Sequence, residues 1–96
     1  MKRFVLTEQA EVDVDEIWEY IAENNIDTAD RIRDQLYAAM QKLADMPGMG
    51  HLRLDLADER HRFWVVRPYV IVYRPDTHPL QIIRVLHGAQ DIERLL

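Results

Sequence analysis

Three strand-length runs crowd the C-terminal third of this chain and leave it few folds to choose from: Arg62-Phe63-Trp64-Val65-Val66, Tyr69-Val70-Ile71-Val72-Tyr73-Arg74 and Leu80 to His87. All are rich in β-branched and aromatic residues. Their connections are short, Arg67-Pro68 being a turn and Pro75-Asp76-Thr77-His78-Pro79 a loop of turn formers. Strands joined this tightly pair antiparallel, so the block predicts a meander. In the first run Phe63 and Val65 fall on one face, and Arg62, Trp64 and Val66 on the other.

The N-terminal half has the other period. After a short apolar stretch from Lys2 to Leu6, expected as a first strand, Thr7 is placed to cap a helix running to about Glu23. Ala10, Val14, Ile17, Trp18 and Ile21 form one helical stripe, and Glu11, Asp15, Glu19 and Glu23 form an acidic row on another face. Asn24-Asn25-Ile26 breaks the pattern, and Asp27 is the expected cap of a second helix with the stripe Ala29, Ile32, Leu36, Met40 and Leu43. A connection this short predicts an antiparallel helix hairpin. Pro47-Gly48 ends it. The following loop carries Leu52, Leu54 and Leu56, whose alternation fits either a short extended edge or an anchor to the core. With helices grouped before strands, the class is α+β: an N-terminal strand, a helix hairpin, a three-stranded antiparallel meander and a short C-terminal helix, all in one domain over residues 1–96.

Charge narrows the function. The net charge is −5, which argues against holding nucleic acid mainly through phosphate neutralisation. The charge is also uneven: residues 1–47 carry eleven acids against five bases, whereas residues 48–96 carry six acids against seven arginines. Any anion-facing surface is therefore expected on the C-terminal sheet. Cysteine is absent, which removes thiolate nucleophiles, disulfides and sulfur-ligated zinc. No apolar run is long enough to span a bilayer, and acidic residues begin at Glu8, too early for a signal peptide; a soluble, cytoplasmic chain is expected.

His51, His61, His78 and His87 show none of the tight spacings of metal sites, so neither metal nor cofactor is expected. With only Gly48, Gly50 and Gly88 available, phosphate-binding glycine loops and nucleophile elbows are missing too. What remains is the arginine set of the strands. Arg62 shares the parity of Trp64, and Arg84 that of Ile82 and Leu86, so each interrupts an apolar face and needs a partner. Arg74 and Arg84 are expected to pair with a nearby acid, Asp76 or Asp91, or with backbone carbonyls at the sheet rim, unless these cations face an external anion.

The order and spacing of Leu6-Thr7, Ala10, Asp15-Glu16-Ile17, Tyr20-Ile21, Pro47, Gly50, Arg53, Arg62, Tyr69-x-Ile71-x-Tyr73-Arg74 and Arg84-Val85-Leu86-His87-Gly88-Ala89-x-Asp91 resemble the RelE/ParE superfamily of toxins, its ParE branch in particular, over essentially the whole chain. Gln90 stands where similar chains often have Arg, and Arg67-Pro68 replaces a more common glycine-containing turn. The resemblance implies a RelE/ParE-like fold and a toxin of a type II toxin–antitoxin system. It also implies a cognate antitoxin of ParD-like, ribbon-helix-helix type, whose flexible segment orders on the toxin. Trp18, Glu11, Glu19, Trp64 and Arg67 are the candidate antitoxin contacts.

Two modes of toxicity go with the superfamily. A ParE-like toxin poisons DNA gyrase by binding, contributes no catalytic residue of its own and meets DNA only through gyrase or the antitoxin. A RelE-like toxin cleaves messenger RNA on the ribosome, and here the candidates are His87 as acid, Glu59 as base and Arg62, Arg74 and Arg84 for phosphate charge. The acidic chain, with lysine only at Lys2 and Lys42, favours the gyrase mode. A third alternative is a partner without toxicity that only completes a repressor complex with its antitoxin.

Overall fold

The computed structural model describes residues 3–96, so Lys2, at the start of the expected first strand, lies outside the described residues. The elements are β1 (Phe4–Leu6), α1 (Glu8–Ala22), α2 (Ile26–Asp45), a 3₁₀ turn (Pro47–Met49), β2 (Arg62–Val66), β3 (Tyr69–Arg74), β4 (Leu80–His87) and α3 (Ile92–Leu95). This is the α+β order expected from the sequence. The sheet order is β1-β4-β3-β2, with β2, β3 and β4 antiparallel and β1 parallel to β4.

The Thr7 hydroxyl accepts from the Ala10 amide at 3.1 Å and so starts α1 as expected. The start of α2 differs. Asn25, not Asp27, is the cap, because Asn25 is extended and its side-chain oxygen accepts from the Thr28 amide at 3.0 Å. Asp27 instead sits in the first turn, where its charge favours the helix dipole. Leu52 and Leu54 form neither an edge strand nor an anchor. The chain turns back at Arg53, whose carbonyl accepts from the Leu56 and Ala57 amides, leaving Leu52 and Leu54 exposed and only Leu56 packed inward.

Both faces of the sheet are covered. On one side Ala10, Val14, Leu36, Met40 and Leu43 of the helix hairpin pack on Ile71, Tyr73, Leu80, Ile82 and Val85. On the other, Phe63, Val72, Leu86 and Ile92 form a smaller cluster with Leu56 and Ala57. Strict alternation fails in β4. Val72 pairs with Arg84 but Tyr73 with Ile82, so Ile83 is an extra residue that shifts the register. Ile82 and Val85 therefore face the helices, while Leu86 faces away, and the shared parity expected for Ile82, Arg84 and Leu86 is broken.

Leu36 is 0% exposed in the middle of the helix-side core. Leu36→Ala is expected to lower unfolding free energy by about 2–5 kcal/mol in a chemical melt, through lost transfer energy and the cavity left behind.

Candidate functional site

β1 is only three residues long and β4 eight, so β1 covers only the first part of its neighbour's edge. Side chains of α1 cover the next part. The Thr7 hydroxyl donates to the Ile83 carbonyl at 2.8 Å, and Asp13 accepts from the Val85 amide at 3.0 Å. The same carboxylate takes a two-pronged hydrogen bond from Arg84, Nε at 2.8 Å and Nη2 at 2.9 Å, and Arg84 Nη1 donates to the Leu95 carbonyl at 2.8 Å. Asp13 is 7% exposed, and it holds the Arg84 guanidinium firmly in its charged form, raising it above the ordinary arginine range. The acid expected for Arg84 is Asp91, and the expected alternative of a backbone carbonyl is met at Leu95; the α1 residue Asp13 takes the place of Asp91 instead. Its sequence signal was available, since Asp13 lies three residues after Ala10 and four before Ile17, within the apolar stripe of α1.

Arg62 and Arg74 are also engaged. Arg62 donates to the Gly50 carbonyl at 2.9 Å, and Arg74 pairs with Asp76, as the sequence suggested, at 3.1 Å. Beside Arg62, the buried Tyr73 hydroxyl donates to the Pro47 carbonyl at 2.6 Å and accepts from the Gly50 amide at 2.9 Å. Burial pushes the Tyr73 phenol above its ordinary range, which keeps it a donor.

The five residues of the cleavage alternative are not gathered at one place. Arg62 pairs with Tyr73 and Arg74 with Gln81 at one end of β3, whereas His87 pairs with Tyr69 at the other, about 17 Å away along the strand. Arg62 and Arg74 also project to opposite faces, and Glu59 is exposed in the loop before β2. The His87 Nδ1 accepts from the Ala89 amide at 3.0 Å, leaving Nε2 as the ring donor. Gln90 closes the same turn, its side-chain oxygen accepting from the His87 amide at 2.6 Å, a bond an Arg at this position has no acceptor to make. Among the described residues, no group of three or more His, Cys, Asp or Glu side chains is placed to hold a metal ion.

The candidate partner contacts divide into two sets. Trp18, Glu11 and Glu19 lie on α1. The Trp18 indole donates to Asp30 at 2.9 Å, the Arg33 guanidinium lies 5.8 Å from its ring centre, and Glu19 borders the same shallow cleft. Glu11 lines a separate groove of about 590 Å³ between β1 and the hairpin, with Arg3, Phe4, Val5, Leu6, Tyr37 and Gln41. Burial, then the fields of Asp15 and Glu11, push the Tyr37 phenol above its ordinary range. Trp64 and Arg67 belong to the far side of the sheet's width. Trp64 packs on the helix-side core with its ring stacked on His51 at 6.1 Å, and Arg67 is exposed at the β2–β3 turn.

The arrangement is a helix hairpin laid over a four-stranded sheet, with Arg62, Arg74 and Arg84 bonded internally. A solved structure described as the chromosomal ParDE TA system from P. aeruginosa has the same fold, with a TM-score of 0.72, 20% identity and coverage of 91% of this chain and 96% of that one. The family model described as ParE toxin of type II toxin-antitoxin system, parDE, matches residues 4–92. Toxin ParE1 of Caulobacter vibrioides is 32% identical over 92 residues, covering 95% of this chain and 94% of the relative. Toxin ParE3 of the same organism is 26% identical over 93 residues, covering 96% and 92%. The chain belongs to the ParE toxin family of type II toxin–antitoxin systems.

Gly50 is where the Tyr73 and Arg62 anchors meet. A Cβ there would lie 2.7 Å from Tyr73 Cε1, 3.0 Å from the Phe63 carbonyl oxygen and closer still to the Tyr73 hydroxyl. Gly50→Ala is expected to cost about 1–3 kcal/mol through forced displacement of a buried ring, read as a lowered midpoint in a chemical melt.

Proposed function

We propose that this chain is a growth-arresting toxin that binds DNA gyrase and stabilises its broken-DNA state, and that a cognate ParD-like antitoxin neutralises it by ordering a flexible segment on its surface. Residues 1–96 are taken as one toxin domain acting in the cytoplasm; among the described residues, no helix is long and apolar enough to cross a membrane. The observation that carries the reading is the internal engagement of the arginines. Arg62, Arg74 and Arg84 bond to Gly50, Asp76 and Asp13, and none is shared with the turn that holds His87. Cleaving a ribose–phosphate backbone requires an acid, a base and cations around one phosphate. A binding poison requires only complementary surface.

The test is ATP-dependent supercoiling by purified gyrase, titrated with this chain alone and after mixing with the product of the neighbouring gene, alongside a His87→Gln variant. Inhibition with accumulation of cleaved DNA, relieved by the neighbour and unchanged in His87→Gln, is the expected result. Unaltered supercoiling, together with ribosome-dependent mRNA cleavage that falls roughly 100-fold or more in His87→Gln, would replace this reading with the ribonuclease. No effect in either assay, with no growth arrest on expression, would leave only the repressor partner.

A further inference from the structure

A cleft of about 390 Å³ lies where α1 crosses the end of β4, beyond the stretch of β4 that β1 pairs with. Its walls include Asp13, Glu16 and Tyr20 from α1, and Tyr69, Val85 and His87 from the sheet. It shares no residue with the groove at β1 or the cleft beside Trp18.

Tyr69 is the unusual member. Its ring packs in the helix-side core and the residue is 8% exposed, yet among the described residues nothing hydrogen-bonds its hydroxyl. No fully covered side-chain oxygen or nitrogen among the described residues lacks a partner, so this hydroxyl must open into the cleft that Tyr69 lines. Burial, then the field of Tyr20, hold the Tyr69 phenol above its ordinary range, so it stays protonated beside a second phenol. Tyr20 is the opposite case, an aromatic side chain left 74% exposed at the same cleft. The His87 ring stands edge-on to Tyr69, their centres 5.8 Å apart.

Glu16 sets the charge. Both oxygens of Asp13 are occupied by Arg84 and the Val85 amide, and that ion pair cancels itself. Glu16 is exposed, and among the described residues no cation lies within salt-bridge distance of it. The cleft therefore holds one open carboxylate, one open hydroxyl and one bare aromatic ring.

We propose that this cleft binds a guanidinium group, the head of an arginine side chain on the protein that the toxin acts on: Glu16 accepts its N–H fork, the Tyr69 hydroxyl accepts a further N–H, and the Tyr20 ring covers its flat face. A planar, weakly hydrated guanidinium suits a carboxylate flanked by aromatic rings, whereas a compact ammonium gives up more solvent to enter. One charge in a cleft open to water holds a free cation weakly, so the contact is useful only when the rest of a large partner keeps the arginine in place. That partner is gyrase, on the reading above, because the cleft contains none of the candidate antitoxin contacts Trp18, Glu11, Glu19, Trp64 and Arg67.

The experiment has two arms. In the first, the chain is titrated by amide NMR with N-acetyl-arginine amide, with the N-acetyl-citrulline amide that keeps its shape without its charge, and with spermidine. Saturable shifts at Glu16, Tyr20 and Tyr69 are expected for the arginine probe alone, with a dissociation constant in the millimolar range. Glu16→Gln and Tyr69→Phe should each weaken that binding about threefold or more. Glu16 is exposed and Tyr69→Phe keeps the buried ring, so circular-dichroism melting should show both variants folded. In the second arm, Glu16→Gln should need about fivefold more protein than the parent to inhibit gyrase, with its affinity for the neighbouring gene's product unchanged. No shift with the arginine probe, equal binding of the citrulline probe, or binding untouched by Glu16→Gln would overturn the site. Tighter binding of spermidine would overturn it in favour of a free polyamine. A loss of affinity for the neighbouring gene's product with gyrase inhibition unchanged would overturn the gyrase arginine in favour of one on the antitoxin. A parent chain that leaves gyrase untouched would remove the gyrase reading and the source of the arginine, while the first arm would still decide the cleft.

Discussion

A buried carboxylate holds the layers of this protein together. β1 stops after three residues, and beyond it the edge of β4 carries backbone groups that a core cannot leave unbonded. Asp13 reaches from α1 to the Val85 amide, and the charge it brings into the interior is matched by the planar fork of Arg84. Burying an ion pair costs several kcal/mol per ion before the attraction is counted, so the site is sound only because each prong finds a partner. Arg84 continues to the Leu95 carbonyl and ties the C-terminal helix to the same point. One arginine thus connects α1, β4 and α3.

A second clasp lies on the neighbouring strands β3 and β2. Tyr73 is wholly buried, and its hydroxyl joins the Pro47 and Gly50 backbone that ends α2, while Arg62 bonds the Gly50 carbonyl from the neighbouring strand. These two clasps explain why a sheet so apolar carries arginines. Arg62, Arg74 and Arg84 are positioned by internal acids and carbonyls, whereas Arg67 stays exposed at the β2–β3 turn.

The regular elements were legible because their periods are strong: the limits of β3 and β4 and the stripe of α2 follow directly from Tyr69–Arg74, Leu80–His87 and Ala29 to Leu43. The cap of α2 was misplaced because Asn25 and Asp27 are both capping residues, and only backbone conformation separates them. The partner of Arg84 was missed for a different reason. Asp13 is 71 residues away, and a single chain records no pairing across that distance, although an acid in an apolar stripe marks a need for one. The bulge at Ile83 was equally hidden, since an extra residue leaves the composition of a strand unchanged. Of the candidate contacts on α1, Trp18 and Glu19 border one cleft and Glu11 a separate groove, while the cleavage set dispersed because sheet register, not sequence proximity, decides which side chains meet.

If Arg84 is committed to the fold, its energy must be coupled to Asp13, and a double-mutant cycle measures that coupling directly. Asp13→Ala, Arg84→Ala and the double variant would be unfolded chemically beside the parent chain. A coupling of about 2 kcal/mol or more, with the double variant less destabilised than the sum of the singles, is the predicted outcome. Additive effects within about 0.5 kcal/mol would mean that Arg84 does not depend on Asp13, and would return it to the pool of cations free to meet a phosphate.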